Sequence, residues 1–149
     1  IIMKRLLLIV LPLLLMVGCE DKKNDTTEPV NPLIGVYNLT SVSVSIQSNP
    51  VQTLTFNHDG SNTYVVMILG DPDVYSFQGK IDGDAANEGG TWSSTGNKLS
   101  LVITNTTMGD PDTEIWDFTL SGNNLVMTLS EPETDTDWGI TMTYNFTKE

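Results

Sequence analysis

From Leu33 onward, apolar residues recur at every second position in short runs separated by turn residues, and no stretch carries the three-to-four spacing of a helical stripe. That period-two pattern marks strands with one face buried and one face in water, paired antiparallel. The clearest run is Trp138-Gly139-Ile140-Thr141-Met142-Thr143-Tyr144-Asn145-Phe146. Leu99, Leu101 and Ile103, then Trp116, Phe118 and Leu120, then Leu125, Met127 and Leu129 repeat it. Leu54 with Phe56, Tyr64 with Val66 and Ile68, and Tyr75 with Phe77 supply further strands. The first run starts on one phase with Tyr37 and Leu39 and continues on the other with Val42, Val44 and Ile46, which predicts a bulge or bend. Turns are expected at 57–60, 70–73, 95–97, 109–112 and 121–124, rich in Gly, Asp, Asn and Pro. Strands with one apolar face each must close into a barrel or stack as a sandwich. The expected fold is an all-β antiparallel up-and-down barrel of about eight strands, with an immunoglobulin-like sandwich as the alternative.

The first nineteen residues are of another kind. Lys4 and Arg5 precede an apolar run from Leu6 to Val17, too short for the roughly 20 residues of a membrane-spanning helix but suited to a signal peptide. The run ends at Met16-Val17-Gly18-Cys19, and Glu20 opens a polar stretch. This resembles the lipobox of bacterial lipoproteins, in which a small residue precedes a cysteine that becomes diacylated. The resemblance implies cleavage before Cys19 and a lipid anchor on it. Cys19 is also the only cysteine, so the chain has no internal disulfide. Residues 1–18 are read as the signal peptide, 19–32 as a lipidated tether without apolar periodicity, and 33–149 as one β domain. The expected location is the cell envelope, anchored in the outer membrane and facing the periplasm or the surface.

Charge narrows the partners. All 19 acidic residues follow Cys19, against lysines at 22, 23, 80, 98 and 148, and the single arginine lies in the leader. Such a surface repels nucleic acid, and without arginine it lacks the planar fork that pairs with phosphate.

Few residues offer catalytic chemistry. His58, the only histidine, falls in an expected turn beside Asp59, with no nucleophile motif to accompany it. One histidine and one lipidated cysteine leave too few soft ligands for zinc. The run from Asp82 to Glu88 has oxygen ligands at alternating positions, as a calcium loop does, but Ala86 stands where a third ligand belongs. Glu114 shares the phase of Trp116 and Phe118 and is the one acid placed for a barrel mouth; glycoside hydrolysis would need a second carboxylate beside it. No catalytic residue, metal or cofactor is expected.

Several segments resemble lipocalin-like domains. Leu33-Ile34-Gly35-Val36-Tyr37 is similar to their opening strand, with Tyr37 in place of the hallmark tryptophan, and Leu54-Thr55-Phe56-Asn57-His58-Asp59-Gly60 to their second strand and turn. Gly90-Thr91-Trp92, Gly96-Asn97-Lys98-Leu99 and Leu120-Ser121-Gly122-Asn123-Asn124-Leu125 resemble the later hairpins. The resemblance implies a barrel whose interior holds a small apolar molecule or lipid, without catalysis. The candidate contacts are Tyr37, Trp92, Trp116, Phe118, Trp138 and Tyr144; most belong to the core by phase, and those at a mouth would stack on a guest. Leu99, Leu101, Ile103, Leu125, Met127, Ile140 and Met142 share the inward face, which is expected to be nearly free of charge. The competing reading is a surface module that binds glycan or protein, its interior filled by its own side chains.

Overall fold

The computed structural model describes residues 30–48, 50–134 and 138–149. The leader, Cys19 and most of the tether lie outside the described residues.

Nine strands follow one another: β1 (Gly35–Ile46), β2 (Gln52–Asn57), β3 (Tyr64–Gly70), β4 (Val74–Ile81), β5 (Asp84–Thr95), β6 (Lys98–Thr106), β7 (Thr113–Ser121), β8 (Asn124–Glu131) and β9 (Ile140–Lys148). From β3 to β9 each strand pairs antiparallel with the next, and β9 and β3 both pair with β1. Eight strands therefore close into a barrel, and the sandwich alternative falls away. The ninth, β2, lies along the same edge of β1 as β3: Ser41 to Ile46 pair with β2, and Gly35 to Asn38 with β3. Both run antiparallel to β1, so β2 and β3 act as a single second strand interrupted at residues 58–63.

Asp59 builds that interruption. Its Oδ1 accepts hydrogen bonds from the amides of Ser61 (2.8 Å), Asn62 (2.7 Å) and Thr63 (2.9 Å). These amides, Thr63 and Ser61 foremost, hold the Asp59 carboxyl at a pKa of about 2. Gly60 supplies the left-handed turn at φ 75°. The loop is tied to the β4–β5 turn by Gly83 N–H donating to the Asn62 carbonyl (2.8 Å).

The predicted phase change in β1 is a bulge. The register with β9 slips between Leu39 and Ser41, so Tyr37, Leu39 and Val42 all face inward and are buried. A second slip between β5 and β6 falls at Gly89 and Gly90. Such bulges bend strands and help a sheet curl closed.

The structure corrects three details of the strand pattern. In β3 the buried residues are Val65, Met67 and Leu69, while Val66 and Ile68 are exposed on the outer face. Every residue from Tyr64 to Leu69 is apolar or aromatic, so alternation carries no phase there; pairing with β1 and β4 sets it. The last strand begins at Ile140, leaving Trp138 outside it and 57% exposed. Leu54 on β2 is equally exposed at 57%, on an edge strand that pairs only with β1.

The tightest packing is at the barrel end that carries the β3–β4, β5–β6 and β7–β8 turns. Tyr37, Leu69, Leu99 and Leu125 are fully buried there. The Tyr37 hydroxyl donates to the Leu33 carbonyl (2.8 Å), drawing the segment before β1 across that end. Lys148 adds a lid: its ammonium donates to the Pro32 carbonyl (2.7 Å) and lies 5.7 Å from the Tyr37 ring centre.

Candidate ligand cavity

Packing is incomplete toward the opposite end. A partly open cavity of about 190 Å³ lies inside the barrel, and Met108 of the β6–β7 loop forms part of its rim. Its walls include the rings of Tyr75, Phe77, Trp116 and Tyr144 and the side chains of Met127 and Met142. The rings hold one another edge-on. Tyr144 meets Trp116 at 5.3 Å (73°) and Phe77 at 5.8 Å (84°), and stacks on Phe146 at 6.1 Å (10°). The positions follow from alternation: Tyr75 and Phe77 are successive inward residues of β4, Tyr144 and Phe146 of β9.

Two carboxylates share this space, Glu88 and Glu114. Glu88 is on the inward phase of β5 between Ala86, with only a methyl group, and Gly90, with no side chain, which leaves its length free to enter the barrel. Its Oε2 accepts from the Tyr75 hydroxyl (2.8 Å) and its Oε1 from Thr106 Oγ1 (3.4 Å). Glu114, two residues before Trp116 on β7, accepts from the indole Nε1 of that residue (2.8 Å). Among the described residues nothing donates to the second oxygen of Glu114, and the lining contains no lysine, arginine or histidine.

These charges act on one another and on the rings. Burial, then the charge of Glu88, then those of Asp112 and Glu131 raise the Glu114 pKa above its ordinary 4.5, while the Trp116 hydrogen bond pulls the other way. Burial, followed by the charges of Glu88 and Glu114, pushes Tyr144 up to about 12. Tyr75 is raised strongly, by burial first and by Glu88 next. A carboxyl whose folded pKa exceeds its unfolded one weakens folding in its charged form. The stability is full below the unfolded pKa and is lost as pH rises through the raised value. Glu114→Gln should therefore raise the melting temperature at pH 7 and bring no gain at pH 4. Solvent screening of this half-exposed group limits the rise to roughly 1–2 °C. Melting curves at the two pH values check this.

Of the six aromatic candidates, the structure brings Trp116 and Tyr144 together at the cavity. Tyr37 closes the far end of the barrel. Trp92 is buried beneath the β3–β4 turn, where its Nε1 donates to the Gly70 carbonyl (3.0 Å). Phe118 is half-buried at the margin of the core, and Trp138 is exposed in the β8–β9 connection. Met67, Met108, Glu88 and Phe77 line the cavity without having been singled out. Glu88 lay at the end of the run weighed as a calcium loop. That run forms the β4–β5 turn at Asp82 and Gly83 and the start of β5. The expectation of a nearly uncharged interior is thus corrected: β5 and β7 each place a carboxylate in it. His58 follows β2 in the exposed interrupting loop, where its backbone N–H donates to the Thr40 carbonyl (2.9 Å). Among the described residues no three His, Cys, Asp or Glu side chains gather as a metal site.

A family model described as a lipocalin-like domain matches residues 33–127, from the segment ahead of β1 into β8. Comparison with curated proteins and with solved structures finds no significant match.

Proposed function

Because the chain belongs to the lipocalin-like domain family, we propose that it is a non-catalytic binding protein that holds a small, mainly apolar molecule inside its barrel. The observation that carries this reading is the cavity: about 190 Å³ walled by aromatic rings and methionines, inside a barrel packed solid at its other end. A barrel built for stability alone gains by filling such a space, since an unfilled volume forfeits dispersion contacts. Methionine walls also adapt to guests of differing shape. Glu88 and Glu114 are each engaged by a neighbouring donor, and that arrangement favours orienting a guest over transferring protons.

In this proposal the chain works in the cell envelope. Cys19 carries the acyl chains, residues 20–32 form the tether, and the outer membrane is the anchoring surface. Cys19→Ser should abolish incorporation of labelled fatty acid and leave an uncleaved precursor; continued labelling would refute the anchor.

The binding reading is tested by titrating the full chain with an environment-sensitive apolar dye while following tryptophan fluorescence. Saturable binding is expected, weakened at least tenfold in Trp116→Ala, with Trp138→Ala as the unaffected control. Absence of saturable binding, or equal weakening in both variants, would remove the cavity as the site.

A further inference from the structure

The cavity holds one feature that a purely apolar carrier has no use for, two carboxylates set beside its aromatic rings. Glu88 and Glu114 come from different strands, face the same space, and among the described residues meet no cationic side chain in its lining. The lysines of the described domain are engaged elsewhere. Lys98 pairs with Asp117 at 2.7 Å, Lys148 caps the Tyr37 end, and Lys80 alternates with Gly79 to the outer face of β4. Asp112, at the end of the β6–β7 loop, and Glu131, closing β8, add negative charge near Glu114. Negative charge held in a partly enclosed, low-dielectric space attracts a cation and repels an anion, and aromatic faces add to that attraction.

We propose that the guest is a small organic cation, an ammonium group joined by a short chain to one apolar ring. The ammonium would lie between Glu114, whose second oxygen lacks a donor among the described residues, and Glu88, and the ring would lie among Trp116, Phe77 and Tyr144. Size supports a single ring: an apolar cavity of about 150 Å³ accommodates benzene, and this one is about 190 Å³. A fatty acid is disfavoured, because its carboxylate would enter beside two others with no positive partner. The inference rests on the cavity being the ligand site and adds the charge of the ligand.

Three probes with the same ring separate the two claims: phenethylamine, 2-phenylethanol and 3-phenylpropanoate, each titrated into the full chain by calorimetry at pH 7. The amine should bind at least tenfold more tightly than the alcohol, and the carboxylate should not saturate. In the Glu88→Gln/Glu114→Gln double variant the amine-to-alcohol ratio should fall to near one. An alcohol that binds as tightly as the amine, or a ratio that survives the double substitution, overturns the cation assignment. If the apolar dye binds while the amine shows no preference, this inference fails and the carrier reading stands. If neither the dye nor any of the three probes binds, both fail.

Discussion

Gly90→Val should prevent the barrel from forming. Gly90 sits at the slip between β5 and β6, and a β-carbon built there would collide with the backbone carbonyl of Val102 on the neighbouring strand. The obstacle is main chain, held in the β6 ladder, so no rotamer change relieves it. Gly79, on β4, faces the same obstacle in the Tyr64 carbonyl and the Val65 Cα of β3. Both are inward positions at which adjoining strands crowd together, and glycine is what lets a sheet approach so closely. Overpacking typically costs about 1–3 kcal/mol where side chains can yield, and more is expected where they cannot. Set against the roughly 5–15 kcal/mol by which a domain is stable, loss of cooperative melting is the expected result. Gly109→Ala is the control, since nothing lies within 4 Å of the β-carbon it would add and its φ is not left-handed. Far-ultraviolet circular dichroism on heating distinguishes them. A Gly90→Val variant that melts like Gly109→Ala would mean that β5 and β6 are less closely apposed than described.

Much of the fold could be read from residue order because strand and turn chemistry are local. The turn at Gly96-Asn97 and that at Gly122-Asn123 follow from glycines with φ of 62° and 58°. The β1 bulge followed from a phase change visible between Leu39 and Val42. The first eight residues of β5, Asp84 to Thr91, were not legible as a strand. Its inward residues are Ala86, Glu88 and Gly90, so it has no apolar alternation, and pairing with β4 along its length, joined by β6 from Glu88 onward, makes it a strand. That is why Glu88 escaped notice as an interior group, whereas Glu114 was placed correctly by sharing the phase of Trp116. Whether the interior is open depends on how side-chain volumes from eight strands add up, and no single strand carries that information. The interruption between β2 and β3 was also hidden, because an Asp-Gly turn signals a hairpin and says nothing about strands continuing along the same edge.

The β3 run offers the sharpest test of face assignment, because its sequence alone permits either phase. Leu69 is fully buried against the closed end, while its neighbour Ile68 is 40% exposed on the outer wall, opposite Ser76. Leu69→Asp loses the roughly 1.5–3 kcal/mol gained by burying a large apolar side chain. It also buries a carboxylate with no partner, a cost of several kcal/mol more. Together these exceed about 4 kcal/mol and should leave the chain largely unfolded at 37 °C. Ile68→Asp replaces a favoured strand residue by a poor one on a solvated face, where the β-propensity scale spans about 1 kcal/mol. Its hydration shell remains largely intact, so a lowering of a few degrees in melting temperature is expected. Urea denaturation of both variants measures the difference. Equal losses would mean that both faces of β3 are buried, and a larger loss for Ile68→Asp would mean that the strand is turned over. The second result would displace Met67 from the cavity wall along with Leu69 from the core, since side chains on one strand change faces together.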